Sequence, residues 1–241
     1  MITALPDRPA SFRRSARARH LRIRVTLHEG VVVTMPPGVN EASARAFLDH
    51  HDAWVRRTLN RLREQAGLSP SCDPLALPER IELRALDRRL AVEYRSTAGT
   101  TRVLHHGERL IVSGNPEDGQ AARAGLKRWL LREGRARLPE WLDRLSRETG
   151  LRYRRVSIRA QRSRWGSCSN SGSISLNCKL LFLPARLVRY VLLHELAHTV
   201  HLDHSPRYWA TVAAFEADYR CLERELRRAG PLVPGWVEHT S

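Results

Sequence analysis

The stretch Val191-Leu192-Leu193-His194-Glu195-Leu196-Ala197-His198-Thr199-Val200-His201-Leu202-Asp203-His204 decides how this chain is read. Its first half is apolar enough for a buried helix, yet it carries two histidines four residues apart. Positions i and i+4 of a helix stack on one face, so the imidazoles of His194 and His198 can converge on a single point. Glu195, beside the first histidine, projects toward the side where a water between the rings would stand.

This H-E-x-x-H spacing is the one zinc hydrolases use. Neutral imidazole is a good Zn²⁺ ligand, and three protein ligands leave a fourth position for water, whose pKa the ion lowers from 15.7 to about 7. A carboxylate beside that water can take its proton and hand it to a leaving amine, so Glu195 is the expected general base. The pattern alone also occurs in ordinary helices, so a third ligand must carry the weight. His204 lies six residues after His198, where the turn chemistry of Asp203 to Pro206 lets the chain bend back toward the ion. His201 is the rival, but seven residues along a helix axis at about 1.5 Å each would put it about 10 Å from His194. His194, His198 and His204 are therefore the expected ligands of one Zn²⁺ per chain. Metzincins share the spacing, but they need a glycine where His201 stands and a Met-turn, and the only methionines here are Met1 and Met35.

Working outward, Leu183-Pro184 starts the histidine-bearing helix, and Ser205-Pro206 reads as the cap and first residue of a last helix running to Gly230. Upstream, Arg154 to Ala160 and Ser173 to Cys178 read as strands, with Ser163 to Gly172 as loop between them. A long helical pattern opens at Asn115-Pro116 and ends near Gly150. His20 to Met35 alternates as a hairpin, Asn40 to Gln65 reads as one helix, and four further strand candidates run between Ile81 and Val112. These readings divide the chain into an N-terminal arm (1–19), a β-rich subdomain with one helix (20–114), a catalytic subdomain (115–230) and a C-terminal tail (231–241). The fold class is α+β.

At 241 residues with 42% hydrophobic content, the chain can build one large core or two modest ones. No run approaches the roughly 18 apolar residues of a membrane span, and the first twenty residues lack a signal-peptide core, so a cytoplasmic protein is expected. Cys72, Cys168, Cys178 and Cys221 are scattered without C-x-x-C spacing, which predicts reduced thiols. The formal charge is +16, almost all arginine, since Lys127 and Lys179 are the only lysines. Such a field attracts nucleic acid or acidic proteins. The arginines are spread over the whole length, however, and read first as a solvated surface.

Four segments in order resemble the YgjP-like metallopeptidase domain family: Arg164-Trp-Gly-Ser-Cys168, Ser173-Ile-Ser-Leu-Asn177, His194-Glu-Leu-Ala-His198 and His204-Ser-Pro-Arg-Tyr-Trp209. The resemblance runs from about Arg17 to Gly230. It implies a zincin-like α+β fold, a Zn²⁺ ion on the three histidines, Glu195 as catalytic base, and a peptide or protein substrate. In motif style the chain is also similar to SprT-like DNA-associated proteases, and the alternative reading is a nucleic-acid-associated protein whose metal site acts on DNA-bound proteins or is structural. The chain departs from the family at Asp203, where Asn is usual, and at Tyr208, where Phe is usual; Asp203 could orient a ligand histidine. In zincin folds the strand ahead of the active helix lies at the sheet edge, which makes Ser173 to Cys178 the expected docking strand for an extended peptide. Arg162, Arg164 and Tyr208 are the candidates for oxyanion stabilisation. Trp165 and Trp209 are expected to close the core around the helix.

Overall fold

The structure, a computed structural model, describes residues 10–26, 30–65, 76–115 and 117–237. It is mixed α+β, with three small sheets among those residues, and the chain forms two compact units, Met1–Ala76 and Leu77–Ser241.

In the first unit, β2 (Arg22–Thr26) and β3 (Gly30–Met35) form the expected antiparallel hairpin; Leu27 to Glu29 lie outside the described residues. The arm is not separate from it, because β1 (Ser11–Arg14) adds in parallel to β3, pairing Phe12 with Val33. Val33, Met35 and Ala44 form a small core with Phe12, Ile23 and Leu48 packed on it. The single helix expected from Asn40 is two, α1 (Glu41–His50) and α2 (Asp52–Gln65). Asn40 caps the first by accepting from the Ser43 amide at 2.8 Å. At His51 the ring Nδ1 donates to the Phe47 carbonyl at 2.8 Å, and the backbone leaves the helical region there.

The second unit does not divide at Asn115 as composition suggested. Strands β4 (Arg80–Leu83), β5 (Arg88–Ser96), β6 (Arg102–His106) and β7 (Arg109–Gly114) form one sheet in the order β4-β5-β7-β6, and its inward Ile81, Leu90, Leu110 and Val112 belong to the same core as the helices that follow. The spine is α3 (Gly119–Thr149), started by Asp118, whose side chain accepts from the Ala121 amide, and ended by Gly150 in the left-handed region at φ 72°. Asn115 instead accepts from the Glu117 amide ahead of the helix. On the core side of α3, Gly134 allows close approach: a Cβ there would lie 3.0 Å from the Cys178 Cβ and 3.2 Å from Ile158.

The second sheet of this unit holds β8 (Arg155–Arg159), β9 (Gly166–Cys168) and β10 (Ser173–Asn177) in the order β8-β10-β9. The stretch expected as loop thus contains a strand, and β10 is central, with both ladders used: parallel to β8 and antiparallel to β9. The edge strand beside the histidine helix is β9. After a 3₁₀ turn over Cys178–Phe182, α4 (Ala185–Ala197) runs through the core with Leu187, Val188, Leu192 and Leu196 buried. The last helix is broken into α5 (Pro206–Phe215) and α6 (Tyr219–Arg228), because Glu216 turns extended at φ −145°. Nor is the segment after Gly230 a tail: Trp236 and Val237 are buried in the main core. Cys168, Cys178 and Cys221 form no disulfide among the described residues; Cys72 lies outside them. No described helix is long and apolar enough to cross a membrane.

Candidate metal centre

The helix α4 ends at Ala197, with His198 as its C-cap. The next residues coil back, and the His201 amide donates to the Ala197 carbonyl at 3.0 Å. His201 lies outside the helix, past a turn over residues 198–200, and its backbone carbonyl accepts from His198 Nδ1 at 3.0 Å. A carbonyl can only accept, so this bond fixes the proton on Nδ1 and leaves the Nε2 lone pair of His198 available. Asp203 does not bond a histidine: its carboxylate accepts from the Ser205 amide at 3.4 Å and stabilises the turn into α5. Ser205 caps that helix, with Pro206 at its first position.

This turn brings His204 back over α4. One ring nitrogen from each of His194, His198 and His204 lies within 4.8 Å of the others, and the two Nε2 atoms of His194 and His204 are 3.3 Å apart. Tetrahedral ligands at a Zn–N distance of about 2.0–2.1 Å stand about 3.3 Å from one another, the separation that the His194 and His204 nitrogens already have. Burial, then the nearby His198 and His204, pushes the His194 pKa down to about 3. Burial also lowers that of His198. Both rings are thereby held neutral, which is the form that binds metal.

The rings are fixed by an aromatic cluster from α5. Tyr208 is fully buried, stacks on His198 at 4.5 Å between centroids, and donates its hydroxyl to the His194 carbonyl at 3.2 Å. Its hydroxyl is committed to the backbone, which removes Tyr208 from the oxyanion candidates. Trp209 stacks on His204 at 5.6 Å and on Tyr219 at 5.1 Å, so it orients a ring of the triad as well as closing the core. Trp165 packs against the core, as expected.

Glu195 is 5% exposed, and its Oε2 has no hydrogen-bond partner. Burial pushes its carboxyl up to about 8, with the Arg164 guanidinium pulling the other way. Gly166 of β9 lies directly over it: a Cβ at that position would stand 2.6 Å from Glu195 Oε1 and 2.8 Å from Cδ and Cγ. The R-W-G-S-C segment stands out in the sequence, but this contact does not. The segment reads as loop, so the rule that a glycine inside a strand marks a close approach has no strand pattern to act on. Asn177, 1% exposed, holds the approach to β9 by donating Nδ2 to the carbonyls of Gln161 at 2.8 Å and Arg164 at 2.7 Å. Arg162 and Arg164 are both exposed.

A three-histidine cluster beside a buried carboxylate is the donor set of a metallohydrolase, and residues 19–229 match the family described as YgjP-like, metallopeptidase domain. The chain belongs to this family. No curated protein matches the chain. Among solved structures, this YgjP-like protein is similar to the metallopeptidase zymogen of Pyrococcus abyssi abylysin, with 25% identity and a TM-score of 0.34 over 37% of this chain and 90% of that one.

Proposed function

We propose that this metallopeptidase is zinc-dependent, with His194, His198 and His204 holding one Zn²⁺ ion and Glu195 acting as general base. The observation that carries the reading is the convergence of three imidazole nitrogens within 4.8 Å beside a buried carboxylate whose Oε2 has no hydrogen-bond partner among the described residues. A zinc ion bound there would lower the pKa of a water and polarise a carbonyl. The chain's own residues supply the rest. Glu195 takes the proton of the attacking water and delivers it to the leaving amine nitrogen. The His201 carbonyl and the Tyr208 and Trp209 rings keep the imidazoles aimed inward. β9 is an edge strand of its sheet, packed against α4, and offers main-chain groups to an extended peptide by strand addition.

The test is Glu195→Gln. It keeps one zinc per chain by elemental analysis and loses peptide hydrolysis by about 10²–10⁴-fold, the range of general acid–base catalysis. Loss of zinc in that variant, or undiminished cleavage, would overturn the assignment.

A further inference from the structure

Charge is not spread evenly around the site. No Asp or Glu stands between Glu148 and Glu195, and six arginines fall in the span from Arg152 to Arg164. Elsewhere, four arginines do carry counter-ions: Arg45 pairs with Glu41, Arg56 with Asp52, Arg144 with Glu140, and Arg189 with Glu148. Arg154, Arg155, Arg159 and Arg164 are exposed and form no ion pair among the described residues. A compositional habit of writing arginine for any solvated cation accounts for the number but not for the missing carboxylates.

The placement is specific as well. On β8, Val156 and Ile158 face the core, so Arg155, Ser157 and Arg159 share the exposed face, in register with Ser173, Ser175 and Asn177 of β10. Arg164 sits at the entry to β9, its backbone pinned by the buried Asn177, two residues before the glycine that touches Glu195. The cationic field therefore ends at the catalytic carboxylate. The aromatics of this segment, Tyr153 and Trp165, are packed against the core, so the bases of a nucleic acid find no stacking platform among these arginines.

Building on the peptidase reading, we infer that the substrate is an acidic polypeptide segment, drawn to β9 by Arg164 and the unpaired arginines of β8. Carboxylates flanking the scissile bond meet uncompensated guanidinium groups, while a basic segment meets repulsion; this selects substrates and speeds encounter more than it tightens binding.

The experiment uses the zinc-loaded full chain and three matched sets of quenched fluorescent decapeptides, whose residues flanking a randomised centre are Glu, Gln or Lys. The Glu set is cleaved with kcat/KM about fivefold above the Gln set, with the Lys set below both, from a few exposed charge contacts. The order flattens at 1 M NaCl, where the screening length falls to about 3 Å. Arg164→Glu reverses the order, Arg164→Gln weakens it, and Arg89→Glu, a charge-matched change on β5, leaves it intact. Folding of each variant is checked by circular dichroism and zinc content. Equal cleavage of the three sets, preference for the Lys set, or an unchanged order in Arg164→Glu overturns the inference alone. Absence of any cleavage removes the peptidase reading and this inference with it. A salt-dependent gel shift of an oligonucleotide that Arg164→Glu abolishes, with no order among the peptides, assigns the patch to nucleic acid and overturns it too.

Discussion

At the residue scale, Gly166 matters because of the side chain it lacks. Glu195 is confined by burial, with no hydrogen bond to Oε2, so packing rather than bonding holds its position. A methyl group on Gly166 would overlap Oε1, Cδ and Cγ of Glu195, and the carboxylate must move. Displacement of a catalytic group by about 1 Å costs about 10²-fold in rate. Gly166→Ala is therefore expected to lower kcat by roughly that factor with zinc content unchanged. The discriminating measurement is a double-mutant cycle with Glu195→Ala, which removes the Cγ, Cδ and Oε1 atoms that the methyl would overlap. The glycine change should cost much less in that background, whereas equal losses in both would show that Gly166 serves general folding. Some of these details are legible in the sequence. Spacing alone singles out His194, His198, His204 and Glu195, and the three histidines stand together in the structure. The bond from His198 to the His201 carbonyl is not legible, because a backbone acceptor leaves no mark on residue identity.

At the scale of elements, most strands and helices follow from periodicity, and the differences cluster where tertiary context interrupts a continuous pattern. The apolar spacing from Trp209 to Leu226 reads as one helix, yet the chain breaks at Glu216. The strand β9 is hidden because three residues with glycine and cysteine show no alternation. Its existence moves the sheet edge from β10 to β9 and shifts the proposed peptide path with it. The long helix α3 holds the site's sheet through Gly134, where Cys178 and Ile158 lie 3.0 and 3.2 Å from the point a Cβ would occupy. Gly134→Val forces the helix away from both. Overpacking of this kind costs about 1–3 kcal/mol, and each kcal/mol shifts the melting temperature of a domain this size by about 2–4 °C. The variant is expected to melt about 5–10 °C lower by calorimetry, on the same scale, while the folded fraction keeps one zinc per chain. An unchanged melting temperature would show that the contact is slack.

At the scale of the molecule, two separate cores explain why composition misplaces the boundary. The shift near Asn115 separates strands from a long helix, but Leu110, Val112, Leu126 and Trp129 lie in one cluster with Leu193 and Leu196. The first unit keeps its own cluster around Val33, Met35 and Ala44. Every residue of the histidine cluster, Glu195 and Gly166 belongs to the second unit, Leu77–Ser241, and so does the core that supports them. The fragment Leu77–Ser241 is therefore expected to fold alone and bind zinc with the stoichiometry of the full chain. Because the unfolded chain does not gather the three imidazoles, zinc at 100 times its dissociation constant adds about 2.7 kcal/mol of stability. Chelation should then lower the melting temperature of fragment and full chain by a similar amount, about 5–10 °C. A fragment that melts without cooperativity, or whose melting ignores chelator while the full chain's responds, would show that the first unit completes the metal site.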